Sequence, residues 1–296
     1  MEAIKNVLIF GGNGLVGKSF KELFDQVGNF KTYITSRTPE NNEIVCDIFD
    51  NESIKSCFKT SSPDIVINCT NLAGGVDFCE NNLELSKKFH FEATKKISTL
   101  AEQYNASFVL ISTDYVFDGT KGPYKENDTK NPLNSYGKHK LQAEQWIEKN
   151  NKNYVIARTT NVCGWDPNTK TPNFLMQLYF NLTKGETCYV PSFLRGNPTY
   201  VNDLTSAIYD LLKLRKIGIY HIVGKSNIDR YSWALKFCTN LDFDKNLIKE
   251  IKIVPDNITP RPLTSNLDTE KLNKHLGYKL STVDQVLDMF KAKMQN

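Results

Sequence analysis

The chain has 296 residues, 40% hydrophobic and 24% charged, with a formal net charge of +4. That is enough chain to bury a full core, as one large α/β unit or two joined lobes, and the charge is too mild and dispersed for a nucleic-acid binder. No apolar run approaches the ~20 residues that span a bilayer, so neither nucleic acid nor membrane is an expected partner.

The opening, MEAIKNVLIFGGNG, places an acid second and enters a strand pattern at once, unlike a signal peptide. KNVLIF (5–10) is a continuous apolar run ending in glycines, the pattern of a strand covered on both faces. A helix pattern follows at about 14–27. Strands are expected at 30–36, 43–47 and 63–70, a long helix from about Asn82 to Tyr104, a strand at 107–113, a helix at 135–150 and a strand at 153–159. This alternation predicts an α/β fold, a Rossmann-type doubly wound parallel sheet. After Thr160 the pattern loosens into a turn-rich loop (164–174), a buried strand (218–224), short elements and a final amphipathic helix near 282–294. The expected division is a dinucleotide-binding domain over 1–160, completed by about 196–224. A smaller, interleaved C-terminal lobe over 161–296 mainly binds substrate. Seven cysteines, an odd number with no CxxC pair, read as reduced thiols, several inside apolar segments. Together with the leader-free start they predict a cytoplasmic protein, and no metal site is expected.

GGNGLVG (11–17) lies between the first strand and the first helix. Glycines there allow a tight turn and let backbone approach a pyrophosphate, while the helix start offers oriented N–H groups. In that position the triplet points to a dinucleotide. An acid at the end of the second strand would bond a ribose 2′-hydroxyl, whereas a base accommodates a 2′-phosphate. The chain reads TSRT there, with Ser36 and Arg37, which favours NADP(H) over NAD(H). Expected cofactor contacts are Gly11, Asn13, Gly14, Leu15, Val16 and Gly17 in the turn, then Ser36 and Arg37. Asp47 and Ile48 follow the third strand, where an adenine could be bracketed, and Cys69, Thr70 and Asn71 follow the fourth.

LISTDYVFDG (110–119) turns from apolar to polar, placing Thr113 and its neighbours at a strand's carboxyl end, where ligands of open α/β sheets bind. The next helix carries Tyr136 and Lys140, four apart and therefore on one face. Tyr209 and Lys213 share that spacing, but they sit in an amphipathic helix with no polar strand end before it. They read as packing.

The ordered set GxxGxxG, STDYVFDG, PLNSYGKHKLQAE, GNPTYVNDL and RPLTSNLDTEKL resembles the extended short-chain dehydrogenase/reductases, and within them the dTDP-4-dehydrorhamnose reductases. The resemblance spans nearly the whole chain. It implies NADPH-dependent reduction of the 4-keto group of a nucleotide-linked 4-keto-6-deoxysugar, and often a homodimer. It implies that Tyr136 is the general acid, that Lys140 holds the nicotinamide ribose and lowers the tyrosine's pKa, and that Thr113 bonds the keto oxygen. Val76, Asp114, Tyr115, Asn161 and Arg261 match substrate-contacting positions. The chain departs from that pattern where RTTNVC puts Asn161 at a tryptophan position, and where His90 replaces a frequent asparagine, read here as a structural histidine. Tyr115 stands where enzymes combining epimerase and reductase activity have cysteine, as in pure reductases. Epimerases and dehydratases of the same fold, and the NADP-binding regulatory subunits of methionine adenosyltransferase, are the alternatives.

Overall fold

A computed structural model describes residues 4–39, 43–169 and 171–295. The first half runs β1 (Lys5–Phe10), α1 (Leu15–Val27), β2 (Phe30–Ser36), β3 (Ile44–Val45), α2 (Asn51–Ser61), β4 (Ile65–Asn68) and α3 (Gly75–Asn81). It continues through α4 (Leu83–Lys87), a π-helical segment (Lys88–Ala93), α5 (Thr94–Gln103), β5 (Ser107–Thr113), α6 (Ser135–Asn150) and β6 (Tyr154–Thr159). The second half contributes β7 (Val162–Cys163), α7 (Phe174–Leu182), β8 (Cys188–Pro191), β9 (Arg195–Gly196), β10 (Thr199–Tyr200) and α8 (Val201–Lys213). Then follow β11 (Gly218–His221), β12 (Ile228–Asp229), α9 (Arg230–Leu241), β13 (Ile248–Ile251), α10 (Glu270–Leu276) and α11 (Val283–Gln295).

Seven strands form one sheet in the order β11-β6-β5-β4-β1-β2-β3, and every neighbouring pair is parallel. Parallel strands need both faces covered, and β1 shows how its residues meet that need. Val7 and Ile9 pack on one side with Phe20 and Phe24 of α1 and Leu204 and Ile208 of α8. Leu8 and Phe10 pack on the other with Phe58 of α2 and Ile97 of α5. The winding direction reverses between β1 and β4, which opens a crevice at their carboxyl ends.

A separate cluster forms the second lobe, with Leu175 and Met176 of α7, Trp233 and Phe237 of α9, and Val286 and Phe290 of α11 packed around paired β8 and β13. The chain does not pass once from sheet to lobe. It leaves after β6, returns with α8 and β11, leaves again for α9, and returns with α10, which packs on α8 and β11.

Four elements differ from the expected boundaries, and of the strand expected over 63–70 only Ile65–Asn68 forms. The third strand keeps only Ile44 and Val45, because the Asp47 amide turns away to the Ser53 hydroxyl at 3.0 Å. The strand expected over 218–224 stops at His221. The long helix is interrupted by six π-helical residues, which bring His90 into the interior at 2% exposure. All seven cysteines are free. Among the described residues no helix is long and apolar enough to cross a membrane.

Candidate active site

The glycine turn is built from two kinds of constraint. A Cβ at Gly17 would lie 2.5 Å from both the Gly11 carbonyl oxygen and the Gly12 Cα, so Gly17 is demanded by the fold itself. A Cβ at Gly14 would meet protein no closer than 3.4 Å. Gly14 is also the N-cap of α1, whose first turn has no side-chain cap and no acidic residue. Open backbone N–H groups at a helix start form an anion site. The cradle therefore fits a dinucleotide pyrophosphate, and Gly14, unlike Gly17, is not demanded by the packing of the fold.

Beside it, Asn13 Nδ2 donates to Ser36 Oγ at 3.2 Å, and Ser36 Oγ donates to the Thr38 carbonyl at 3.0 Å. Ser36 is thereby fixed at the end of β2. Arg37 is exposed and makes no ion pair among the described residues. Asp47 is exposed and Ile48 packs against the core beyond β3.

A cavity of about 370 Å³ opens at the strand ends. It brings together Val16, Cys69, Thr70, Asn71, Val76, Thr113, Asp114, Tyr115, Tyr136, Lys140 and Asn161. Thr70 is held by its hydroxyl, which donates to Asn68 Oδ1 at 2.7 Å. Ser36, Arg37, Asp47 and Ile48 lie outside this cavity, as does Arg261. Arg261 instead pairs with Asp77 of α3 and donates from Nε to the Thr259 carbonyl at 3.0 Å.

Tyr136 enters the cavity because α6 approaches the loop before it. A Cβ at Gly137 would collide with the Tyr115 carbonyl oxygen, so only glycine lets α6 sit this close. Asn134 caps the helix by accepting the Gly137 amide at 2.9 Å. The Tyr136 ring then stands edge-on to Tyr115 at 5.7 Å and to His90 at 5.0 Å between centroids. Burial raises the Tyr136 phenol above its ordinary value, and the Thr113 hydroxyl opposes that as a hydrogen-bond partner. The expected lowering by Lys140 is not what this arrangement produces. Lys140, itself 3% exposed, donates from Nζ to the Ile111 carbonyl at 2.6 Å. Burial brings its pKa down to about 8, against the pull of Glu144 and Cys69.

Thr113 donates to Asp114 Oδ1 at 3.1 Å and accepts from the Tyr115 amide at 3.2 Å. Burial raises the Asp114 carboxyl, while Ser265, Thr113 and Thr160 bond its ionised form. The Thr159 hydroxyl, which lines the cavity, is buried without a partner, an orphan of the kind a ligand satisfies.

One charged wall residue is not singled out by the sequence pattern. Arg230, the first residue of α9, lines the cavity. It donates from Nη2 to Asn161 Oδ1 at 3.3 Å and lies over the Phe174 ring at 5.3 Å. The neighbouring carboxylate, Asp229, is taken by Ser232 and Arg195. A cation in the first turn of a helix opposes the macrodipole, and that mismatch in IDRYSW was the available signal. Asn161 adopts φ 47°, a left-handed conformation that asparagine tolerates better than the bulky ring found there in the resembling enzymes.

Residues 5–296 match the model described as the RmlD substrate binding domain. The chain belongs to the RmlD family. A solved RmlD-type structure, a hypothetical dTDP-4-dehydrorhamnose reductase from Sulfolobus tokodaii, is 30% identical, with a TM-score of 0.83 over 96% of this chain and 98% of that one. The dTDP-4-dehydrorhamnose reductase of Bacillus anthracis, solved in complex with NADP, superposes with a TM-score of 0.88 at 24% identity, covering 98% and 99%. Methionine adenosyltransferase 2 subunit beta of Xenopus tropicalis is 27% identical over 91% of this chain and 82% of its own length.

Proposed function

We infer that the protein is an NADPH-dependent reductase acting on the 4-keto group of a nucleotide-linked 4-keto-6-deoxysugar, in the manner of dTDP-4-dehydrorhamnose reductases. The observation that carries the reading is the convergence of Thr113, Tyr136 and Lys140 on one cavity at the strand ends, beside an open glycine cradle. Family membership and the reductase relatives support it.

Bound NADPH supplies the hydride; the chain supplies position, charge and a proton. The Thr113 hydroxyl sits next to the phenol and orients the carbonyl. The Tyr136 phenol, raised by burial, is protonated throughout the neutral range, so it is always loaded as a donor. An alkoxide is a far stronger base than a phenolate, so transfer from Tyr136 runs downhill once charge builds on the keto oxygen. Lys140 places an ammonium one helical turn away, available to the ribose hydroxyls. Arg230, without a carboxylate partner among the described residues, offers a positive wall for the substrate's diphosphate. Val76, Asp114, Tyr115 and Asn161 frame the sugar, and Arg261 orders that side through Asp77. On the other side, Arg37 meets the 2′-phosphate. The protein is assigned to the cytoplasm as a homodimer.

The test is incubation with NADPH and a panel of 4-keto sugar nucleotides. Stoichiometric NADPH oxidation is the expected result. Conversion without net cofactor turnover would identify an epimerase or dehydratase. Tight NADPH binding with no conversion of any substrate would favour a regulatory subunit, a reading that the methionine adenosyltransferase relative keeps in play.

A further inference from the structure

Lys140 is buried, yet the reading above needs it as a cation, and the structure shows what faces it. Cys69 lies at the end of β4, His90 on the π-helical segment, and Tyr136 and Glu144 on α6 itself. Burial keeps three of these neutral. The Cys69 thiol and the Tyr136 phenol are pushed up, and the His90 imidazole is pushed down to about 2. Glu144 is the one formal negative charge of the set.

Glu144 is wholly buried and is held by two side chains at once. Ser112 Oγ donates to Oε1 at 2.5 Å. Arg158 Nε reaches both oxygens at 3.1 Å, and Nη2 reaches Oε2 at 2.7 Å. Arg158, equally buried, spends its remaining nitrogen on the Glu126 carbonyl at 3.0 Å, beside the His221 ring. A fork-to-fork pair of this geometry keeps a buried carboxylate ionised. The consequence lies along β5. Lys140 bonds the carbonyl of residue 111, Glu144 bonds the side chain of residue 112, and residue 113 is the threonine of the site. One face of α6 stitches the last turnless stretch of strand, residue by residue, up to the reacting group.

We propose that Glu144 is a positioning residue for the reaction: through Ser112 it fixes the strand end that carries Thr113, and its carboxylate, shared with Arg158 and one helical turn from Lys140, also offsets the Lys140 ammonium. The proposal rests on the assignment of Lys140 to the reductase reaction.

Two arms test it. In the free protein carrying ¹³Cε-lysine, the Lys140 titration is followed by NMR for the wild type, for Glu144→Gln and for the pair Glu144→Gln with Arg158→Met. Glutamine still accepts from Ser112, and the double variant removes both charges of the pair, so Arg158 is not left as an unpaired buried cation. In Glu144→Gln, Lys140 should lose its proton at lower pH, and NADPH affinity at pH 8 should drop on the order of tenfold, as a shift of about one pKa unit implies; in the double variant, where the opposing Arg158 charge is also gone, both effects should shrink. An unshifted titration in Glu144→Gln overturns the proposal whatever the turnover. The second arm is Ser112→Ala, which should lower kcat with little change in KM and leave the Lys140 titration in place; an unchanged kcat overturns the positioning half. A shifted titration in a protein that reduces no 4-keto sugar nucleotide would instead sink the reductase reading while leaving the counter-charge pair standing.

Discussion

Two helices carry a tyrosine four residues ahead of a lysine, and they end up on opposite faces of the sheet. Tyr136 is the second residue of α6, so it stands at the carboxyl ends of the strands, where the ligand crevice lies. Tyr209 is well past the middle of α8. Its ring packs edge-on to Phe24 at 6.2 Å and Phe30 at 6.1 Å, beneath the amino ends of the strands. Lys140 is buried and bonded; Lys213 is exposed on the rim of a cavity of about 710 Å³, roomier than the one holding Tyr136. That larger cavity is lined by Lys5, Lys213, Arg215 and Lys216, which sit where α1 and α8 end. Cations there complement the helix dipoles. The lesson is that neither spacing nor cavity size marks the site. What marks it is the turn of the helix on which the pair falls, since a helix that follows a strand begins at that strand's carboxyl end.

The sharpest way to break the comparison is Tyr136→Phe. It removes one oxygen and keeps the ring against Tyr115 and His90, so NADPH should still bind while turnover falls ~10²–10⁴-fold. A wild-type rate of NADPH oxidation with the preferred 4-keto sugar would place the acid elsewhere. Next is the pair of lysines. Lys140→Met should lower turnover and weaken NADPH, whereas Lys213→Met should leave both unchanged in the same assays.

The lysine comparison also has a pH signature. Lys140 carries its charge below about 8 and loses it above, while the Tyr136 phenol, raised by burial, still holds its proton there. The kcat/KM profile should therefore fall as pH rises through about 8, and a plateau extending to pH 10 would contradict the role of the ammonium.

At the adenosine end, Arg37→Ala should weaken NADPH on the order of tenfold to a hundredfold and leave NADH nearly untouched, since a charge-assisted phosphate bond is worth ~1.5–3 kcal/mol. Equal losses measured by fluorescence titration would remove Arg37 from the cofactor. Smallest of all is Tyr209→Phe, expected to leave the kinetics unchanged and to alter unfolding stability by no more than about 0.5 kcal/mol. It is the control that gives the other numbers meaning.

Much of this contrast was legible in the sequence, for a physical reason. Strand 107–113 and helix 135–150 emerge with their expected limits, because a doubly covered strand must be apolar throughout and the change to polar residues at Ser112 is abrupt. The π-helical segment was not legible. Its residues continue an amphipathic pattern, and the extra backbone step that buries His90 is fixed by packing against α6. The two-residue strands of the second lobe were equally hidden, since pairs such as Val162–Cys163 with Thr199–Tyr200 form only once the tertiary fold brings them together. Arg230 lies far along the chain from the residues it joins. A mismatch with its helix dipole hinted at a role, but nothing local pointed to Asn161. Sequence places Lys140 one helical turn from Tyr136, yet it cannot reveal how deeply the phenol is buried, and burial is what raises it.

The last strand to join the sheet has a consequence for how the molecule is made. β11 pairs with β6 from Val155 to Arg158, but it is synthesised only after α7, the β8 region and α8. Until then β6 leaves the ribosome as a bare edge, with unpaired amides and carbonyls and with Arg158 and Glu144 lacking part of their cover. Exposed parallel edges recruit other strands. Nascent chains halted before His221 should therefore be protease-sensitive and prone to associate, and chains released just beyond α10, which packs on β11, should be the first to resist digestion.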